Sequence, residues 1–185
     1  MKISRGHLRD IISEVLLIEQ NESDDLLAAV LASEAPNNIK EMQAIYDVIQ
    51  TRANYKFKDL SKGDISAQIV APGQFSGYNK FKNDPAGFIE YYSGTAPDSA
   101  YNVNKERVAT EKLIRKRQFK NAHEAIKLGA EGFGATHFVN PAAASTGNRW
   151  WEGIKFKEAG SIGEHLFGWD TTVSQSLEAY NKRKK

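Results

Sequence analysis

The sequence predicts an α+β fold that is mostly helical and carries a small antiparallel sheet of about three strands near its C-terminal end. Apolar residues recur at helical spacing up to about residue 130. From about residue 135 the pattern changes to short alternating segments, which are typical of half-buried strands. The 185 residues contain no internal repeat and no domain-sized linker, so we expect a single domain.

The central predicted element is a helix that ends near Glu34. Residues 26–32 are all apolar, and a helix that is apolar on every face is buried. Pro36 disfavours helical geometry at the residue before it, so the helix is expected to end at about Glu34. The carboxyl group then lies between a dry interior and a loop, where burial raises its pKa as a general acid requires. The alternative is a solvated residue at a helix end.

Helices are also predicted on both sides of this central element. The expected segments are 5–20, 38–54, 64–70, 85–92, 104–118, 122–130 and 170–185. Asn38 and Asp64 are the candidate caps of two of them, because their side chains can accept hydrogen bonds from free backbone N–H groups. The helix at residues 5–20 is amphipathic and is expected to pack on the outside of the central helix.

Three strands are predicted after residue 134. The first is Ala135–Val139, and it ends at Asn140. Residues 154–157 alternate apolar and polar side chains, and residues 162–167 are expected to return as their antiparallel partner. The turn between these two strands is placed at residues 158–161.

The composition excludes several classes of function. The sequence has no cysteine, so disulfides and thiolate metal sites are ruled out. The four histidines show no metal-binding spacing, so neither a metal nor another cofactor is expected. A net charge of +2 gives no indication of a nucleic-acid partner. The N-terminus lacks the apolar core of a signal peptide, and no apolar run is long enough to span a bilayer.

A loop rich in amide, hydroxyl and aromatic side chains follows the predicted helix at residues 64–70. Its residues are Ala71, Pro72, Gly73, Gln74, Phe75, Ser76, Gly77 and Tyr78. Pro-Gly ends the helix, and the following side chains suit a sugar, since amides and hydroxyls bond ring substituents and aromatic rings stack on them. The alternative is that Phe75 anchors an ordinary loop.

Several short segments together carry a family resemblance. They are Ser33-Glu34-Ala35, Ala44 to Ile49 leading to Arg52, Pro72 to Ser76, Thr136 to Ala142, and Ile162 to Phe167. In this order and approximate spacing, the sequence resembles the SleB/CwlJ-type cell-wall hydrolases, which are spore-cortex-lytic enzymes and related bacterial and phage peptidoglycan-cleaving domains. The resemblance implies a lysozyme-like fold with a hydrolase-like core at residues 26–169, and 1–25 and 170–185 are then helical extensions of one domain.

The resemblance also implies roles for individual residues. The family's catalytic glutamate corresponds to Glu34, and its Pro-Gly-Gln-Phe-Ser loop and Asn-Pro segment line the substrate groove. Aromatic side chains are added as platforms for sugar rings, and of two adjacent tryptophans near a strand we expect one to face the groove. The candidate substrate-binding residues are Gln74, Phe75, Ser76, Tyr78, Asn140, Trp150 and Trp151.

Two positions depart from the family's pattern. Asn38 stands where the family often has a second glutamate, and Val139 stands where it usually has tyrosine. The first departure weakens a mechanism with two carboxylates. The expected function is therefore a lytic transglycosylase that cleaves the β-1,4 bond between N-acetylmuramic acid and N-acetylglucosamine, with Glu34 as acid and base and 1,6-anhydromuramyl products.

Two alternatives stay open. A hydrolytic muramidase would use water and a second acid such as Asp47, Asp59 or Asp64. A catalytically inactive glycan-binding or structural module of a virion would keep the fold without turnover. A peptidase is disfavoured because the sequence has no cysteine, no paired histidine ligands and no Gly-x-Ser-x-Gly segment.

The expected partner is the glycan strand of peptidoglycan. A compact domain without a signal peptide fits a phage lysin that lysis releases to the host periplasm and cell wall, or an enzyme carried on the virion. A virion-associated enzyme would also contact other virion proteins.

Overall fold

The computed structural model describes residues 23–54, 64–71, 74–81, 84–142 and 156–170. The helix predicted at residues 5–20 lies outside the described residues, as do Trp150, Trp151 and all but the first residue of the helix predicted at 170–185. The domain limits therefore stay a prediction. No helix in the described part of the chain is both long and apolar enough to cross a membrane.

The helical body consists, within the described residues, of six α-helices and two short 3-10 turns. The first helix, α1, covers residues 23–34. The others are α2 (Ile39–Asn54), α3 (Ile65–Val70), α4 (Ser76–Asn79), α5 (Pro85–Ser93) and α6 (Val108–Leu128), with 3-10 turns at Asp98–Ala100 and Lys105–Arg107. The predicted cap at Asp64 is confirmed, because its carboxylate accepts the N–H of Ala67 at 2.8 Å.

One predicted break in the helical body is wrong. Residues 104–118 and 122–130 were expected to form two helices, but α6 is continuous from Val108 to Leu128. Gln118, Ala122 and Ala125 are all buried, so the core-facing stripe runs through the expected break. The helix ends only at Gly129, whose positive φ of 93° few other residues adopt.

Helix α1 lies at the centre of the core, as the sequence predicts. Every side chain from Leu26 to Ala32 is at most 6% exposed. Large side chains of α2 and α5 complete the same core cluster, among them Met42, Ile45 and Phe88. Because α1 is covered on all sides, the residue at its C-terminal end is held in a defined position.

The three-stranded antiparallel sheet is confirmed, and with it the α+β fold class. Strands β1 (His137–Val139), β2 (Phe156–Ile162) and β3 (His165–Asp170) are arranged in the order β1-β3-β2. In this register Phe138 lies opposite Phe167.

The turn between β2 and β3 does not lie at residues 158–161, as expected. It lies at Gly163 and Glu164, where Gly163 has a φ of 60°. Residues 158–161 instead continue β2, with an irregularity between Glu158 and Gly160. Gly160 serves close packing there, since a Cβ atom on it would come within 2.6 Å of the Phe133 ring.

Candidate functional site

Glu34 is the last residue of α1, as the sequence predicts. The backbone N–H of Ala35 donates the final helical hydrogen bond to Leu31, and Pro36 follows. The residue as a whole is half-buried, but its Oε1 atom is fully buried and has no hydrogen-bond partner among the described residues. A buried carboxyl oxygen without a partner is costly when ionised, so the arrangement favours the protonated acid.

Burial raises the pKa of Glu34 above its ordinary value. Four groups act in the opposite direction, but their combined effect is smaller than that of burial. They are the backbone N–H of Gly77 and the positive charges of His165, Arg52 and Lys80. The carboxyl group can therefore hold a proton at higher pH than an exposed glutamate does. The nearby basic groups stabilise the Glu34 carboxylate once the proton has left.

The predicted sugar-binding loop lies directly against Glu34. Its Gly77 sits so close to the end of α1 that a Cβ atom there would lie 2.6 Å from Ser33 Oγ and 3.8 Å from Glu34 Oε1. A glycine is therefore required for this approach of α4 to α1. The structure thus brings together two segments that the sequence analysis linked only through the family resemblance.

Arg52, which the sequence analysis named in a family motif but gave no role in the site, makes two contacts from a buried position near Glu34. It lies in the last turn of α2, is 6% exposed, and donates from Nε to the Thr136 carbonyl at 2.7 Å. A second donor, Nη1, reaches Gln74 Oε1 at 3.0 Å. Burial lowers the pKa of Arg52 to about 10, so it stays positively charged at neutral pH. The sequence did contain a signal of this burial, because Arg52 follows Ile45 by seven residues and so lies on the apolar stripe of α2.

A second cluster joins α2 to the turn between β2 and β3. Glu41 Oε1 accepts hydrogen bonds from the backbone N–H groups of Glu164 at 2.7 Å and His165 at 3.1 Å. The same oxygen lies 2.7 Å from Nδ1 of the His165 imidazole. The sequence analysis placed neither Glu41 nor His165 in the site, since no local pattern links residues that are 124 positions apart.

Because Gly163 has no side chain, the Glu41 carboxylate can lie directly against it. A Cβ atom on Gly163 would lie 2.5 Å from Glu41 Oε1, whereas one on Gly134, at nearly the same φ of 61°, would meet nothing within 4 Å. We expect Gly134→Ala to lower the free energy of unfolding by about 1 kcal/mol through backbone strain alone. Gly163→Ala should cost about 2 kcal/mol, because it also displaces a carboxylate held by three hydrogen bonds. Chemical denaturation of both variants measures the difference, and equal losses would contradict the expectation.

The polar candidate binders have different surroundings. Gln74 is half-buried and bound to Arg52, as described above. Asn140 is half-buried, and its Nδ2 donates to Glu164 Oε2 at 2.9 Å. Ser76, the first residue of α4, is exposed one position before Gly77. Ser76 is thus the most accessible of the three.

The aromatic candidates need a correction. Phe75 and Tyr78 are each 1% exposed, so in this structure neither ring offers a face to a sugar. Phe75 stacks on Phe138 at 6.3 Å between ring centroids, and Tyr78 packs edge-on against Phe88 at 5.4 Å. Both rings belong to the hydrophobic core. Trp150 and Trp151 lie outside the described residues.

Two of the three candidate second carboxylates lie in the described part of the chain, and both accept backbone hydrogen bonds. Asp47 accepts the N–H of Gly134 at 2.7 Å, and burial raises its pKa. Asp64 caps α3, and Asp59 lies outside the described residues. No group of histidine and carboxylate side chains in the described ranges could hold a metal ion.

Comparisons with known proteins give one similar structure. No protein-family model matches the sequence, and no curated protein matches it. Among solved structures, the chain is similar to the catalytic domain of the SleB protein of Bacillus cereus. The two share 16% sequence identity with a TM-score of 0.48, and the similarity covers 80% of this chain and 90% of that one.

Proposed function

We propose that this protein cleaves the β-1,4 bond between N-acetylmuramic acid and N-acetylglucosamine in peptidoglycan, with Glu34 as its acid. The observation that carries the proposal is the carboxyl group at the end of α1, whose Oε1 is buried and unpaired and whose pKa is raised by burial. A glutamic acid with a raised pKa keeps its proton to higher pH than an exposed one, and it can deliver that proton to a glycosidic oxygen. The ordered motifs that resemble cell-wall hydrolases supply the substrate class.

The proposed reaction is that of a lytic transglycosylase. Glu34 gives its proton to the leaving oxygen, and the bond from that oxygen to the anomeric carbon breaks. The acetamido oxygen of the muramic acid residue supports the positive charge at that carbon. The 6-hydroxyl of the same sugar then attacks, its proton passes to the Glu34 carboxylate, and a 1,6-anhydro ring forms. The acid is regenerated, and no second carboxylate is used.

The charges around Glu34 favour this single-carboxylate mechanism. Within the described ranges, the charged groups named as acting on it are His165, Arg52 and Lys80, which are all basic. They stabilise the carboxylate that exists between the two proton transfers. Of the carboxylates considered for a hydrolytic mechanism, Asp47 accepts the backbone N–H of Gly134, and Asp64 accepts that of Ala67 in the helix that it caps.

The products of digestion test the proposal. Purified peptidoglycan is incubated with the protein, and the released fragments are identified by mass spectrometry. Fragments that end in 1,6-anhydromuramic acid are expected. Fragments with a reducing muramic acid end would instead establish a muramidase, and the absence of any fragment, together with glycan binding, would establish a binding module.

A further inference from the structure

A groove runs along α6 and has no part in the proposed reaction. This α6 groove has a volume of about 750 Å³, and its apolar wall consists of Leu113, Ile114 and Phe119. Leu113 is a large apolar side chain, yet it is 69% exposed. Apolar side chains that line one open groove are typical of a surface that another element covers.

The rim of the α6 groove is basic. Three exposed side chains supply the charge, and they are Lys116, Arg117 and Lys120. In the part of the chain that the structure describes, no carboxylate forms an ion pair with any of these three. The groove therefore fits an element that carries a carboxylate beside an apolar face.

The described residues show where the chain that precedes α1 approaches the α6 groove. Asp25, at the start of α1, lies 3.0 Å from the imidazole of His123, which closes one end of the groove. Near the other end of α1, the side chain of Ser33 interacts with that of Tyr92. The Tyr92 ring centroid in turn lies 5.2 Å from the Arg115 guanidinium. Helix α1 is therefore antiparallel to α6, and the chain enters α1 at the His123 end of the groove.

The segment directly before α1 has the pattern that this groove requires. Residues 5–20, which lie outside the described residues, are predicted to form an amphipathic helix. Its apolar stripe consists of Leu8, Ile11, Ile12, Val15 and Leu16. Asn21 and Glu22 alone connect this segment to α1, and such a short connection favours antiparallel neighbours. The segment is therefore expected beside α6 and parallel to it.

The length and charge of the segment match the α6 groove. A helix over residues 5–20 is about 24 Å long, whereas Leu113 and His123 are about 15 Å apart along α6. Glu19 follows Val15 by four positions, so it shares the face that carries the apolar stripe. Because Glu19 lies close to the start of α1, it is expected at the His123 end, where Lys120 lies one turn away.

We propose that residues 5–20 of the same chain occupy the α6 groove. Their apolar stripe covers Leu113, Ile114 and Phe119, and Glu19 pairs with Lys120. The segment then joins the start of α1 to the outer side of α6. This docking does not depend on the proposed reaction, so its failure and the failure of the proposed function are distinguishable.

Introduced thiols test the docking in the full chain, because the natural sequence has no cysteine. Ile12→Cys and Leu113→Cys are combined, and the purified protein is treated with a short bismaleimide. Mass spectrometry should find a bridge between positions 12 and 113 within one chain, at a yield that does not depend on protein concentration. The matched control combines Ile12→Cys with Leu128→Cys, since Leu128 is 62% exposed on α6 but does not line the groove. Its yield should be several-fold lower.

Equal yields in the two pairs, or reactive thiols that form no bridge between positions 12 and 113, would overturn the proposal. A bridge that joins two chains, with a yield that rises with protein concentration, would also overturn it. In that case the segment of a second copy would occupy the groove.

Melting temperatures give a second measurement that does not require reactive thiols. Leu113→Asp should lower the melting temperature by about 5 °C, because it places a carboxylate where the apolar stripe docks. Leu128→Asp, at a comparably exposed position, should melt within about 2 °C of the wild type. Ile12→Asp should cause the same loss as Leu113→Asp, and the two together should cause little more, since both break one contact. Additive losses, or a Leu113→Asp variant that melts like the wild type, overturn the proposal.

Discussion

Replacing Glu34 with glutamine should lower the rate of fragment release from purified peptidoglycan by about 10²- to 10⁴-fold. The amide has nearly the same shape as the carboxyl group but cannot donate a proton to the glycosidic oxygen or receive one from the 6-hydroxyl. Because both proposed steps use this side chain, no intermediate should accumulate. The measurement is the initial rate of release of soluble fragments, quantified by mass spectrometry.

A matched control for this experiment is Glu124→Gln, which makes the same change at an exposed position of α6. This variant should cleave at the wild-type rate. A Glu34→Gln protein that cleaves as fast as the wild type would show that another residue is the acid.

Thermal denaturation shows whether Glu34→Gln is folded. The raised pKa of Glu34 also predicts how the substitution changes the stability of the folded state with pH. The pKa of Glu34 is higher in the folded state than its ordinary value of 4.5. Its contribution to stability is therefore fully present below that value and is lost as the pH rises through the folded pKa. Glutamine does not ionise, so the variant should equal the wild type at low pH and be the more stable protein at neutral pH.

Replacing Arg52 with methionine should lower the free energy of unfolding by about 3–5 kcal/mol and the melting temperature by about 10 °C. The variant removes a buried cation and leaves the Thr136 carbonyl and the Gln74 amide oxygen without their arginine donor. Both acceptors lie between α2, the loop before α4 and the start of β1. We therefore expect the loop beside Glu34 to lose its fixed position and the cleavage rate to fall as well.

The comparison variant is Arg117→Met, because Arg117 lies on the exposed side of α6. A surface substitution of this kind usually changes stability by less than about 0.5 kcal/mol. Calorimetry of the two variants at the same pH measures the difference. Equal melting temperatures would mean that the buried hydrogen bonds of Arg52 contribute nothing to the fold.

The sequence was sufficient where a local pattern determines the structure. The apolar residues of α1 and the proline that follows placed Glu34 at the end of a buried helix, and the change to alternating side chains located the sheet. The turn at Gly163 was missed because Gly160 offered an equally good local signal. In that case packing against Phe133 decided which glycine lies in the strand.

Most errors in the site concern long-range contacts. Phe75 and Tyr78 were expected on the surface, because a loop gives no periodic pattern from which burial can be judged. The contacts of Arg52 and His165 were not predicted, because their partners lie 84 and 124 positions away. Their contacts exist only once α2 and the sheet have packed together.

The hydrogen bonds that meet at Glu41 also bear on when the protein becomes active during its own synthesis. They join α2 to residues 123 and 124 positions later in the chain. Closing a loop of that length costs entropy that only the completed contacts recover, which delays such contacts in folding. A nascent chain that already contains Glu34 and its whole helix therefore lacks the contacts between Glu41 and the turn from β2 to β3 until residues 164 and 165 have left the ribosome. We expect activity to appear as one of the last properties of the folding chain.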